Sequence, residues 1–421
     1  MIAVSDNQQK SGLWILFFLY SGIITLMFWN FILNLVLYFE LTLGWGYFTY
    51  VTFAYSMGNI LSFLSGKAVF SKLSTRKAVW VTAIVNSLGF IGTMVLMEVI
   101  ESVTAKKVLI IVLTAVFVYF SAYFQGSIFG LSSICGSLSI SQYNVGIGVS
   151  GILSNLIAIV FVFIFPTHDE ATRIKELHNQ MKSYIVFLVV LFVGYLIVLY
   201  LFMKRFGHLV DDFDQSVLEE KRKQEGLLDQ PDMQSKKSVK SFSTWKSSGF
   251  EKKKSYCAVL CRLVDLFLSV LFTFFITIQM LCFVVPTLTL KFDNNSEMYM
   301  LIYFLLFNVG DTIGKLFPDS WNFRSSFMVH FATLLRSIVH VYFLVLIYTV
   351  PLEGLSSCYM RGAVYFLMGV SGGFFSNNYY CLASDRFINP KNKDFAGYMI
   401  TFGIILGVFC GTLSGVLWNI Q

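Results

Sequence analysis

The chain has 421 residues, 56% of them hydrophobic and only 13% charged, with a mean hydropathy of +0.69. A soluble domain carries about twice that share of charge, so the composition predicts a polytopic membrane protein. The net charge of +7 then speaks for orientation through the loops, not for binding nucleic acid. The seven cysteines (Cys135, Cys257, Cys261, Cys282, Cys358, Cys381 and Cys410) are scattered, and their spacing fits neither a disulfide framework nor a zinc site.

Eleven apolar runs follow one another, at roughly 13–39, 46–70, 78–99, 107–135, 144–166, 183–203, 260–290, 298–318, 325–350, 360–385 and 395–418. Runs of this length satisfy their backbone in lipid as helices. The first is longer than the apolar core of a signal peptide and lacks the usual small-residue cleavage pattern, so it reads as a retained span. The second connection holds Lys67, Lys72, Arg76 and Lys77, the sixth is long and lysine-rich, and the tenth holds Arg386, Lys391 and Lys393. The even-numbered connections are thus the basic ones, which puts the N-terminus in the cytoplasm and the C-terminus outside. The sequon Asn294-Asn295-Ser296 falls on the predicted outer side, so Asn294 is a candidate glycosylation site.

The sixth connection is acidic first (Asp211, Asp212, Asp214, Glu219, Glu220) and then rich in Lys and Ser (Lys236 to Lys254). Its few apolar residues predict a largely disordered cytoplasmic linker over 204–259. The linker separates an N-terminal six-helix bundle, 1–203, from a C-terminal five-helix bundle, 260–421.

Small residues recur every fourth position: Gly403, Gly407, Gly411 and Gly415 in the last run, Gly126 and Gly130 in the fourth, and Gly146, Ser150 and Ser154 in the fifth. Such rows let helix backbones approach closely, so they predict a tightly packed bundle and carry no information about a substrate.

Polar groups at membrane depth carry more. Asp311 and Lys315, in Phe307-Asn308-Val309-Gly310-Asp311-Thr312-Ile313-Gly314-Lys315, are four apart and share a helix face with Asn308. An ionisable side chain there either faces a partner or lines a watery path. Gln125 in the fourth run could read the edge of a ring or bond a neighbouring helix. Trp29, deep in the first run beside Asn30, is a packing residue or a stacking plate. Arg336 and His340 share a face of the ninth run. With Ser127 they are candidates for a supporting polar network in which Arg336 bonds Asp311 or backbone carbonyls. His340 is either a structural histidine or part of a proton-linked step. No P-loop, HExxH, nucleophile elbow or kinase set is present, so the reading is of a non-enzyme with no catalytic residues, cofactor or metal.

At these residues the chain resembles the equilibrative nucleoside transporter family. Phe28-Trp29-Asn30 is similar to its Pro-Trp-Asn segment, with Phe28 in place of Pro. Gln125-Gly126-Ser127-Ile128-Phe129-Gly130 is close to the fourth-span signature, and Phe307 to Lys315 resembles the eighth-span Phe-Asn-x-x-Asp-x-x-Gly-Arg. Gly146 to Gly151, Leu334-Leu335-Arg336 and Ser371-Gly372-Gly373-Phe374 resemble motifs of the fifth, ninth and tenth spans.

The resemblance implies an all-α polytopic fold with a major-facilitator-like architecture of six plus five helices. Its halves would rock about a midplane site and carry nucleosides, in some members nucleobases, down their gradient. It implies that Trp29, Gln125, Asn308, Asp311 and Lys315 bind substrate. Two departures stand out: Lys315 replaces an arginine and cannot offer its planar donor fork, and Gly372 replaces an asparagine. The expected partners are a small-molecule nucleoside or nucleobase and the lipid bilayer, with no nucleic acid, in a functional monomer of the plasma membrane. Two other readings fit the residues: a proton-coupled carrier of nucleosides or organic cations, and a membrane receptor or scaffold acting through the long loop.

Overall fold

A computed structural model describes residues 11–44, 46–70, 74–135, 137–166, 172–226, 248–292, 296–316, 325–348, 357–387 and 390–419. Asn294, the candidate glycosylation site, lies outside these described residues. Every regular element within them is helical. The helices are α1 (Gly12–Asn34), α2 (Val36–Leu43), α3 (Tyr47–Phe70), α4 (Thr75–Val99), α5 (Val103–Cys135), α6 (Ser137–Ile164), α7 (Arg173–Gly226), α8 (Ser248–Gln279), α9 (Val285–Phe292), α10 (Ser296–Leu316), α11 (Ser326–Tyr348), α12 (Cys358–Asp385) and α13 (Pro390–Asn419). A π-turn over Met280–Val284 joins α8 to α9. Counting α1 with α2, and α8 with α9, as single bent rods gives eleven spans among the described residues. Seven of the described helices are long and apolar enough to cross a membrane on length and composition alone. The outward faces are apolar: Val108, Val112 and Val116 on α5 and Val186, Val190, Val193 and Ile197 on α7 are all exposed, as a lipid-facing belt requires.

Both bends have a local cause. Pro286 has no N–H for the carbonyl of Cys282, four residues back, and the ladder re-registers there: the N–H of Val285 bonds the carbonyl of Met280. Such π-turns are found mostly within α-helices, often at functional sites. At the end of α1, the side chain of Asn34 is held sideways by Ser154 at 2.9 Å and Tyr184 at 3.3 Å. Leu35 then leaves the helical ladder and bonds back to the carbonyl of Ile32.

The spans pack as two related halves. Spans 1 and 5 (α1, α6), 2 and 4 (α3, α5) and 3 and 4 (α4, α5) pair in the first half. Spans 7 and 11 (α8, α13), 8 and 10 (α10, α12) and 9 and 10 (α11, α12) repeat those contacts six spans later. The halves meet where span 5 packs on span 8 and span 2 on span 11. Span 6 (α7) packs on span 3 (α4).

The small-residue rows do what their spacing predicts, with one exception. A Cβ at Gly22 would collide with the carbonyl of Tyr143, and one at Gly146 with the carbonyl of Leu19. Above that crossing, Asn30 donates to Ser150 at 3.1 Å and Asn34 to Ser154, so the whole row on α6 faces α1. Gly407 and Gly411 approach the backbone of α8. The closest pairing is α10 with α12, where Gly310, Gly314, Gly369 and Gly373 each stand against a carbonyl of the other helix. The exception is Gly126, which has no atom within 4 Å of a Cβ position. It is not a packing contact, since α5 turns that face to open space.

The expected linker is partly helical. α7 runs on through 204–226 and α8 already begins at Ser248; residues 227–247, on which the rest of that expectation falls, lie outside the described residues. The acidic part of the linker contains Glu219 and Lys223 at the favourable four-residue spacing, and its lysine and arginine cluster suits a helix C-terminus. Asp211 on the extension is tied to Arg76 at the start of α4 at 3.0 Å.

Candidate functional site

The interior is closed at one end. From Phe28 to Phe39, all of the side chains but Asn34 are buried, and from Gln279 to Val285 all are, so the bent halves of spans 1 and 7 are enclosed on every side. This is the end away from the basic connections.

Gln125 on α5 is exposed, yet it lies in one row with Thr114, Val118 and Ser132, which are buried at 4%, 1% and 0% exposure. That row lies opposite the exposed Val108, Val112 and Val116, so Gln125 is on the interior side of α5 and not the lipid side. Its amide bonds no described residue. Ser127 does not join a network: its hydroxyl donates to the carbonyl of Tyr123 at 3.0 Å in its own helix.

Asp311 and Lys315 continue the buried row of α10 that runs through Met300, Phe304 and Phe307. Lys315 donates to Asp311 Oδ2 at 2.6 Å, and their side chains are 15% and 21% exposed. The pair is thus more open than Phe304, at 1%. Asn308, one turn earlier, is pressed against Gly151 of α6, and Thr312 against Gly148. Asn308 therefore sits in the contact between the two halves. Trp29 is 8% exposed, and its ring lies 4.3 Å from that of Tyr55 on α3, tilted 45°.

Arg336, on α11, is 3% exposed. Its Nη1 donates to the carbonyl of Met368 at 2.7 Å and to Ser371 Oγ at 2.5 Å, and its Nη2 donates to Thr277 Oγ1 at 2.5 Å. The carbonyl alternative predicted from the sequence is the one found, and Asp311 is an electrostatic neighbour whose direct bond goes to Lys315. His340 pairs with Gln279 Oε1 at 2.6 Å, and Gln279 in turn donates to Ser414 Oγ at 2.5 Å. This chain links α11, α8 and α13 immediately beside the π-turn.

Sequence reasoning missed Tyr55, Gln279 and the π-turn. Gln279 was visible as an amide in an otherwise apolar run seven residues before Pro286. Tyr55 gave no signal, because the partner of Trp29 is set by how two helices cross. At the basic end, Arg386 grips Asp265 with two bonds of 2.5 and 2.6 Å, and His330 reaches the same carboxylate at 3.3 Å, tying α8, α11 and the end of α12 together.

Comparison with solved structures finds the same fold. A D-xylose–proton symporter aligns at a TM-score of 0.64 with 10% identity, covering 96% of this chain and 89% of that one. The nucleoside transporter NupG aligns at 0.53 with 14% identity, covering 96% and 90%. A partially occluded inward-open xylose transporter, XylE from E. coli, aligns at 0.52 with 10% identity, covering 96% and 95%. The fold is that of the major-facilitator transporters. No curated protein sequence matches the chain. The family model described as nucleoside transporter matches residues 109–420, about three quarters of the chain, including the α5 and α10 segments that carry Gln125, Asp311 and Lys315. The chain is a multi-pass membrane protein that belongs to the nucleoside transporter family.

Proposed function

We propose that this nucleoside transporter is of the equilibrative kind: it carries nucleosides, and nucleobases with them, down their gradient by alternating access, with no coupled ion. The carrying observation is the Asp311–Lys315 pair, 2.6 Å apart on the interior row of α10 and still partly exposed. A carboxylate and an ammonium in a watery pocket between apolar walls offer an acceptor and a donor at low dielectric, which suits the hydroxyl and ring-edge groups of a nucleoside. Trp29, Gln125, Asn308, Asp311 and Lys315 are the proposed substrate-binding residues. Trp29 supplies a ring face, Gln125 reads an edge, and Asn308 couples the pocket to the contact between halves. The halves, 1–203 and 260–421, rock about the span 5–8 and span 2–11 contacts as a monomer. The basic end is cytoplasmic, and the plasma membrane is the proposed location.

The test is uptake of labelled uridine, adenosine and hypoxanthine by a transport-deficient host, with surface protein measured alongside. Saturable uptake that is indifferent to external pH supports the reading. Uptake no greater than in vector-only cells, with the protein at the surface, refutes it. Uptake that rises in external acid would instead favour the proton-coupled carrier.

A further inference from the structure

Arg336 is more than a brace between helices. A guanidinium has five N–H donors in a fixed fork, and the bonds to Met368, Ser371 and Thr277 use three of them. Nε has no partner among the described residues, and one Nη2 hydrogen is also uncommitted. Unmet donors on a buried charge are costly. Nε is shut away in the interior, but beside the Nη end of the fork is an opening: a Cβ at Gly372 on α12 would have nothing within 4 Å except Arg336 Nη1 at 3.6 Å and Nη2 at 3.7 Å. Gly372 is itself only half-buried, so the space over the guanidinium is reachable. The nearest carboxylate, Asp311, is already held by Lys315. Two cations therefore share one anion at the centre of the second half.

We propose that Arg336, reached through the gap at Gly372, is a substrate-contacting residue whose spare Nη2 hydrogen goes to an acceptor oxygen of the transported molecule. This rests on the nucleoside reading above. The oxygen is either a ribose hydroxyl or a ring carbonyl, since a guanidinium recognises both by the same chemistry. Arg336 and Asp311 then hold one substrate from opposite sides, one donating and the other accepting. In this chain, access to the arginine depends on position 372 having no side chain, where the family pattern has asparagine.

Gly372→Asn tests this without touching the arginine. Its Cβ would sit at ordinary contact distance, and its amide oxygen would cap the spare Nη2 hydrogen. The expected result is normal surface expression, a melting temperature equal to or above wild type, and a KM for uridine and inosine raised about tenfold, the loss of one charge-assisted bond. Gly372→Ala, which shields the fork but cannot bond it, should raise KM by a smaller factor, and it decides the question if the asparagine variant fails to reach the surface. A panel of 2′-deoxyuridine, 3′-deoxyuridine, uracil and hypoxanthine separates the two oxygens. If the penalty vanishes for one deoxynucleoside, the contact is to that hydroxyl. If it persists across the deoxynucleosides and free bases, the contact is to a ring carbonyl. KM values within about twofold of wild type for every compound, in variants that are stable and at the surface, overturn the proposal and leave Arg336 a structural brace. If the wild-type chain itself neither transports nor is stabilised by any nucleoside or base, the nucleoside reading fails first and this inference with it.

Discussion

Replacing Asp311 by Asn should cost this transporter most of its affinity for substrate. The substitution keeps the shape of the side chain and removes one negative charge. Lys315 Nζ lies 2.6 Å from the carboxylate oxygen, and Arg336 is a second cation nearby. At an effective dielectric constant of about 20, the Coulomb attraction at that separation is ~6 kcal/mol before desolvation is counted. Breaking a fully buried pair by removing one partner typically costs ~3–5 kcal/mol. With the two side chains 15% and 21% exposed, Lys315 can turn toward water, which lowers the local penalty to ~1.5–3 kcal/mol. If substrate uses the same carboxylate, affinity falls by a similar amount, about 10- to 150-fold.

The measurement is KM for labelled uridine and adenosine, normalised to surface protein, with the melting temperature of purified protein in parallel. A double variant, Asp311→Asn with Lys315→Gln, separates the two effects. It removes the stranded cation, so stability returns, while KM stays high because the contact to substrate is still missing. A single Asp311→Asn variant that reaches the surface with wild-type KM would refute the reasoning and leave the pair as a purely structural neutralisation.

Other consequences follow from the same geometry. Lys315→Arg should keep or improve nucleoside transport, since the longer planar fork reaches the same carboxylate; uptake at least equal to wild type checks this. Gly373→Leu should prevent stable folding, because its side chain would enter the backbone of α10 at Asp311, and the loss of a monodisperse detergent-solubilised peak would show it. Ser150→Ala removes the acceptor for Asn30, 3.1 Å away, and should cost about 0.6–1.7 kcal/mol of stability. It should lower the melting temperature by a few degrees without altering KM. Gln125→Cys should react with a membrane-impermeant thiol reagent from the side of the basic loops, and substrate should protect it.

Much of this architecture can be read from the chain. The apolar runs give the spans, because lipid leaves the backbone no choice but helix. The four-residue rows give close approaches, because only a missing side chain lets two carbonyl-bearing ridges meet. The pattern does not say which helix each row meets. Gly146, Ser150 and Ser154 turn to α1 while Gly148 and Gly151, on the same helix, turn to α10, and only the three-dimensional crossing separates those faces. The same limit explains Gly126, a glycine in a correctly spaced row that meets nothing, and Gly22, a lone glycine among aromatics that meets a backbone. Local chemistry was legible where it stayed local: Asp311 and Lys315 pair one turn apart, as their spacing requires. Gln279 and His340, 61 residues apart in sequence, and Trp29 with Tyr55 come together only through packing.

The division of labour between those two faces of α6 explains how the molecule can be tightly packed and still move. Toward α1 the helix is fixed by glycine contact and by hydroxyl–amide bonds from Asn30 and Asn34. Such bonds have direction and register, and sliding would break them. Toward α10 it presents Gly148 and Gly151 to Thr312 and Asn308. The hydroxyl of Thr312 is spent on the carbonyl of Asn308 in its own helix at 2.8 Å, so that surface is held by shape and not by bonds across it. Where Gly148 and Gly151 meet Thr312 and Asn308 the seam rests on shape, and such a surface is one along which two rigid halves can tilt. At the other seam, spans 2 and 11 stack Phe63 on Phe402 at 5.4 Å and are joined by a crossing bond from Thr412 to Ser56 at 2.9 Å. Removing it with Thr412→Val, a change of one hydroxyl for a methyl, should alter the rate of transport more than the affinity, because it acts on the motion and not on the pocket.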